Sequence, residues 1–297
     1  ISTYVGLCQH FFTYIYMNIN TIRPDEHNFL KRLTTLAAPP KSLYYIGSLP
    51  DKPQLTVAIV GTRRPTAYGQ TVTEQIASAL ARKGALIVSG IAIGVDAIAH
   101  ASALDAGGRT LAVLPSGVDD PYPKSNQQLA RRILEHGDAL ISEYEPSHRP
   151  MSHDFLWRNR LVSGLSDAVI VTEANLRSGT LSTVAHALEQ GRDVYVVPGP
   201  ITSPLSAGCN RLIAQGATPI TDVESLLEQL GLTGQTVLAL GDSPEEATIL
   251  ELLRQGISDG DELQVQSGYR PEQLAQTLTM LEIKGMIKSL GGNMWRL

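Results

Sequence analysis

Five short stretches of the chain combine small, hydroxyl, cationic and aromatic residues at spacings that suit an anionic ligand. The first is Val57-Ala58-Ile59-Val60-Gly61-Thr62-Arg63-Arg64, followed by Tyr68-Gly69. A glycine directly after a strand lets the backbone approach an anion, and a following helix offers unbonded N–H groups with a partial positive charge. The G-x-G-x-x-G spelling of a dinucleotide site is missing. Instead a hydroxyl and two guanidiniums stand at the strand tip, and arginine matches a phosphate bidentately. A tight turn carrying two solvated arginines accounts for this stretch equally well when it is taken alone.

The second stretch is Ser89-Gly90-Ile91-Ala92-Ile93-Gly94-Val95-Asp96, with His100 four residues further on. Its serine and glycines suit a phosphate-cradling turn. Asp96 and His100 share a helix face at this spacing, which invites a general-base reading. With no nucleophile beside them, the better account is an acidic first-turn residue stabilising the helix end, hydrogen-bonded to a histidine. The third stretch, Tyr122-Pro123-Lys124-Ser125-Asn126, is either a loop with a helix cap at Ser125 or Asn126, or a lysine placed on the same edge as Arg63.

The fourth stretch, Phe155-Leu156-Trp157-Arg158-Asn159-Arg160, interleaves aromatics with arginines. That suits single-stranded nucleic acid, whose bases stack on rings while its phosphates meet guanidiniums. Its alternative has Trp157 in the core and the arginines on a solvated helix. The fifth, Glu173-Ala174-Asn175-Leu176-Arg177-Ser178-Gly179-Thr180, would expose the amides of Ser178 and Gly179 to an anion. All five fall at the carboxyl ends of expected strands, and so describe one phosphate-binding rim holding Arg63, Lys124, Arg158 and Arg177. The sequence has no metal-ligand cluster, no G-x-S-x-G elbow and no Walker lysine, so neither a metal nor another cofactor is implied.

The elements that must position this rim are legible as two alternating signals. Apolar β-rich runs occur at Leu55–Val60, Ala85–Val88, Thr110–Leu114, Ala139–Ser142, Ala168–Thr172 and Asp193–Val197. Between them, helical periodicity marks Gln70–Arg82, Asp96–Ala106, Gln127–His136, Leu181–Gln190 and Asn210–Gln215. Continuous apolar strands separated by helices predict an α/β domain: a doubly wound, mostly parallel Rossmann-like sheet covered on both faces. This domain is expected over 41–232, with a Gly- and Ser-containing linker at 233–244. Helices at Glu245–Arg254, Ile257–Val265 and Pro271–Lys284, then a hairpin around Gly291-Gly292-Asn293, predict a small C-terminal winged-helix-like domain over 245–297.

Residues 1–40 read as an N-terminal extension, partly non-native: the chain starts at Ile1, and Met17 before Asn18-Ile19-Asn20 is a candidate true start. The apolar stretch Phe11–Met17 is too short to span a bilayer and lacks the features of a signal peptide. Leu43–Gly47 is expected as a lead-in strand on the edge of the main domain. With 24 basic against 29 acidic residues the net charge is -5, so nucleic acid would be held by a local patch and not by the overall field. The two cysteines, Cys8 and Cys209, form no evident pair, which argues against a disulfide framework and a zinc site and predicts a cytoplasmic protein.

The set V-A-I-V-G-T-R, S-G-I-A-I-G-V-D-A-I-A-H, Y-P-K-S-N, S-E-Y, R-N-R-L-V-S-G-L, E-A-N-L-R-S-G-T-L and G-R-D-V-Y-V-V-P-G, in this order over about Leu43 to Leu232, resembles the DprA/Smf (DNA-processing protein A) family. The resemblance implies a cytoplasmic protein without established catalytic activity. Such a protein binds and protects single-stranded DNA, dimerises, and loads the RecA recombinase during natural transformation. It places DNA contacts on Arg63, Lys124, Phe155 and Arg158, and the dimer and RecA contacts around Gly208–Gly216. The full expected contact set is Gly61, Thr62, Arg63, Lys124, Phe155, Arg158, Arg160, Arg177, Ser178 and Gly179.

Four departures stand out. Thr62 replaces the commoner serine, Leu156-Trp157 replaces the usual F-P-x spelling, and Ser152 occupies a position that is basic in some relatives. No N-terminal helical domain of the family's kind is recognisable in residues 1–40. Over Ser243–Leu297 five basic residues face eight acidic ones, so the winged-helix-like domain is expected to contact protein or to have lost DNA binding. The alternative function is a Rossmann-like nucleoside-monophosphate hydrolase. Such enzymes use a P-G-G-x-G-T turn, and the R-S-G-T here lacks its double glycine.

Overall fold

The computed structural model describes residues 19–52, 54–232, 243–254, 257–284 and 286–296. The expected linker lies outside them except for its last two residues, as do residues 1–18 with the candidate start. The chain divides into two compact units, 1–233 and 234–297.

In the larger unit the run Thr56–Val60 is buried at every position, which only a strand covered on both faces can satisfy. Among the described residues it is β3 of nine: β1 (Asn20–Ile22), β2 (Leu43–Gly47), β3, β4 (Leu86–Ser89), β5 (Thr110–Leu114), β6 (Ala139–Ser142), β7 (Ala168–Val171), β8 (Asp193–Val196) and β9 (Thr218–Pro219). Their order across the sheet is β1-β2-β6-β5-β4-β3-β7-β8-β9. From β6 to β9 every neighbouring pair is parallel, whereas β1–β2 and β2–β6 are antiparallel. The chain winds outward from β3 in one direction, then returns to β7 and winds in the other. The carboxyl ends of β3 and β7 therefore flank a topological switch point, where ligands of such sheets bind.

Among the described residues the α-helices of this unit are α1 (Ala67–Arg82), α2 (Val95–Asp105), α3 (Gln127–Glu135), α4 (Ser152–Gly164), α5 (Thr180–Glu189), α6 (Ala207–Ala214) and α7 (Val223–Gln229). Side-chain alternation along β3 assigns the two faces. Ala58 and Val60 join a core with Leu161, Val162 and Val184, while Val57 and Ile59 join another with Ile76, Leu80 and Ala99.

The expected domain start at 41 cuts through packed structure. β1 pairs with β2, and Leu30, Leu33 and Leu36, on and after a 3-10 stretch at Leu30–Thr35, are buried against Leu161 and Leu165. Spacing by three puts these leucines on one side of a 3-10 turn, a stripe too short to read as a helix. β2 is also not the edge strand, since β1 covers it. Among the described residues no helix is long and apolar enough to cross a membrane.

The described residues of the smaller unit form α8 (Pro244–Arg254), α9 (Gly260–Ser267), α10 (Pro271–Ile283), and a hairpin of β10 (Lys288–Gly291) and β11 (Met294–Arg296). Ile249, Leu250, Leu253, Leu263, Leu274, Leu278, Leu281 and Ile287 form its core. α9 begins later than the expected Ile257, because the Asp259 carboxylate accepts the amides of Asp261 and Glu262 and caps the helix there. The only lysine at the expected recognition helix, Lys284, bonds Glu246 at 2.7 Å.

Candidate nucleic-acid interface

Residues from three loops and three helices converge on a cavity of about 410 Å³ at the carboxyl ends of β3, β4 and β7. Seven of the ten expected contact residues line it: Gly61, Thr62, Arg63, Phe155, Arg158, Ser178 and Gly179. Lys124, Arg160 and Arg177 do not.

The β3–α1 turn is held rigidly. A Cβ on Gly61 would lie 2.6 Å from Val95 Cγ2 and 2.9 Å from the Glu173 carbonyl, so glycine is needed for close packing of the backbone. The Thr62 amide donates to the Glu173 carbonyl at 2.7 Å, and its hydroxyl accepts the Arg64 amide at 3.3 Å. Thr66 caps α1 and also donates its amide and hydroxyl to the Glu173 carboxylate, each at 2.8 Å. Glu173 is buried and committed to holding this turn. It presents no free carboxylate to the cavity.

Arg63 emerges from the turn into solvent, its guanidinium 5.1 Å from the centroid of the Phe155 ring. Phe155 meets Tyr122 edge-on, with centroids 5.7 Å apart. Tyr122 precedes Pro123-Lys124, so the first, third and fourth stretches adjoin through these rings. Lys124 is exposed but ion-paired with Asp120, which offsets its charge. Arg63 and Arg177 are exposed and have no ion-pair partner among the described residues.

Two expected contacts need correction. Arg158 reaches the cavity as its floor and not as a rim cation. It is 4% exposed, its Nη1 donates to the carbonyls of Gly90 (2.8 Å) and Val113, and Asp96 lies close enough to favour its charge. Burial lowers its pKa to about 10 and raises that of Asp96, whose carboxylate accepts the Gly90 amide at 3.1 Å. Arg160, also buried, grips Glu143 with Nη2 at 2.7 and 2.8 Å and donates to the Ala38 carbonyl. Arg160 has no free guanidinium for a phosphate, and Arg158 commits Nε to Asn159 and Nη1 to the two carbonyls. Both sit on α4, whose buried face mixes Asp154, Arg158 and Arg160 with Leu161 and Val162. That mixture hides the helix from a search for apolar periodicity. Trp157 is half exposed, against the alternative that put it in the core.

His100 is not bonded to Asp96. The Thr110 hydroxyl donates to the Ile87 carbonyl at 2.8 Å, so His100 Nδ1, 2.6 Å from the same oxygen, must carry the proton given to it. The ring is fully buried, and the Ser89 backbone opposes part of the effect of that burial. Burial lowers the ring pKa to about 3. A base enclosed in this way cannot exchange protons with a ligand.

The β7–α5 turn supplies the opposite wall. The Ser178 hydroxyl accepts the Thr180 amide at 3.2 Å, and the Thr180 hydroxyl donates to the Gly61 carbonyl at 2.9 Å. The Gly179 amide has no partner among the described residues, and a Cβ there would meet only Leu156, at 3.7 Å. Asn159 and Thr180 also line the cavity and were missed as site residues, although both stand inside the quoted stretches. Among the described residues no group of three His, Cys, Asp or Glu could hold a metal ion.

A sequence profile described as DNA recombination-mediator protein A matches residues 20–231 of this chain. The chain belongs to the DprA family. A second profile, the DprA winged helix domain, matches residues 236–293. The putative DNA processing protein DprA of Mycobacterium tuberculosis (strain CDC 1551 / Oshkosh) is 41% identical over 252 residues, 81% of this chain and 64% of that protein. The chain thus spans under two thirds of that relative's length. Protein Smf of Escherichia coli K12 is 34% identical over 296 residues, 94% of this chain and 78% of its own length. The solved structure of DNA processing protein A from Helicobacter pylori, described by its unique single-stranded DNA binding mode, superposes with a TM-score of 0.65 at 38% identity. It covers 71% of this DprA-family chain and 95% of its own. The DprA structure from Streptococcus pneumoniae gives the same TM-score at 35% identity, covering 73% and 76%.

Proposed function

We propose that this chain binds single-stranded DNA at the carboxyl-end cavity without cleaving it, and passes the protected strand to the RecA recombinase during natural transformation. The observation that carries the reading is Arg63 beside Phe155 at the cavity mouth, a cation and a ring side by side at a switch point. Gly61, Thr62, Ser178 and Gly179 form the backbone walls, and Arg177 adds a second unpaired cation. The Helicobacter pylori relative, named for its single-stranded DNA binding, supports the same ligand here. A cytoplasmic homodimer is part of the proposal, with its dimer and RecA contacts around Gly208–Gly216, where Leu212 and Ile213 are only partly buried. The winged-helix unit is proposed to contact protein.

The test is titration with labelled oligo-dT. Arg63→Glu should abolish binding at moderate salt while the fold is retained. Lys124→Glu should weaken it less, because Asp120 already offsets that charge. Affinity unchanged in a folded Arg63→Glu variant would overturn the site. The hydrolase reading needs a free carboxylate in the cavity, but Glu173 is committed to Thr66 and Asp96 to Gly90. Incubation with nucleoside monophosphates should release no free base.

A further inference from the structure

We infer that Trp157 is a second base-stacking platform, carrying the strand beyond the Phe155 cavity and across the first turns of α4. This rests on the reading of the cavity as a single-strand site and adds a residue that none of the expected contacts includes. Three large apolar side chains stay in solvent at this end of α4: Met151 (57%), Leu156 (48%) and Trp157 (46%). Scattered apolar residues need no explanation, but a group that adjoins a ligand cavity does. Leu156 lines the cavity itself, and Trp157 is the next residue.

The indole is held in place. The Arg160 guanidinium lies 4.2 Å from the ring centroid and is fixed by Glu143 and the Ala38 carbonyl. With one side of the ring backed by a fixed cation, the exposure falls on what remains. A base stacking there would meet a surface already ordered, so little conformational entropy would be lost on binding. Every base has a π-face, and such a platform would accept any sequence. Arg149, on the loop entering α4, is exposed and has no ion-pair partner among the described residues, which leaves it available to a phosphate of the same strand.

The chain has two tryptophans, Trp157 and Trp295, so emission can be assigned. Oligo-dT added to Trp295→Phe should quench the remaining Trp157 emission, and the quenching should vanish in Trp157→Phe. Trp157→Ala should weaken binding by about ten-fold, the loss of one stacked base. Unchanged Trp157 emission, while Arg63→Glu still abolishes binding, would overturn this inference and leave the cavity reading intact. Weaker binding by Trp157→Ala without any emission change would reduce Trp157 to a support for Arg160, and would also overturn it. If the native chain bound no oligo-dT, both readings would fall together.

Discussion

The Arg63 guanidinium stands 5.1 Å from the centre of the Phe155 ring, although one residue follows β3 and the other lies on α4. Each orients the other before any ligand arrives. A strand entering the cavity can take its phosphate to the cation and its base to the ring. Binding should therefore respond to the pair non-additively.

In a double-mutant cycle on oligo-dT affinity, Phe155→Ala should cost about 1–3 kcal/mol, as for other base-stacking residues. Arg63→Ala should lower the slope of log affinity against log salt by about one ion. The double variant should lose less than the sum of the two singles, because each partner is ordered by the other. Strict additivity would show that the two act independently.

Arg158 should behave as a structural cation. Replacing it with alanine strands Asp96 in the interior and leaves the carbonyls of Gly90 and Val113 without their donor. A loss of about 3–5 kcal/mol in urea unfolding is expected. If the variant proved as stable as the native chain and yet bound no DNA, Arg158 would return to the list of ligand contacts.

His100 should make the fold sensitive to acid. Its pKa is about 3 in the folded chain, against 6.5 ordinarily. Below the ordinary value the unfolded chain takes up a proton that the folded chain refuses, so stability falls as the pH drops through that window. Asp96, whose pKa is raised, works in the opposite sense and softens the total. His100→Asn removes only the first effect. Between about pH 6 and pH 4 the urea midpoint of the native chain should fall more steeply than that of the variant. Parallel curves would refute the assignment of a neutral buried ring.

Gly61 and Gly179 should separate packing from ligand approach. At Gly61 an added methyl meets Val95 and the Glu173 carbonyl inside 3.0 Å, and Gly61→Ala should cost about 1–3 kcal/mol of stability. At Gly179 the nearest atom is 3.7 Å away, and the backbone already lies in the right-handed helical region. Gly179→Ala should change stability by less than about 0.5 kcal/mol. Weakened oligo-dT binding in that stable variant would place the ligand against the Gly179 amide. Undiminished binding would move it away.

The sequence by itself determined the parallel sheet, because runs such as Val57–Val60 and Ala168–Val171 are apolar on both faces and can only be central strands. It also determined the glycine, hydroxyl and cation types at the strand ends, since a chain that turns from strand to helix must place them on one edge. Tertiary structure decided which cations are available. Arg63, Arg158 and Arg160 look alike as letters. Yet only Arg63 reaches solvent, because α4 turns the other two inward to Asp96, Glu143 and backbone carbonyls that are remote in sequence. The same holds for Leu30, Leu33 and Leu36: their burial depends on Leu161 and Leu165, far along the chain, and no local pattern could announce it. Whether a charge is spent or free depends on partners brought together by the fold, and the local sequence does not contain them.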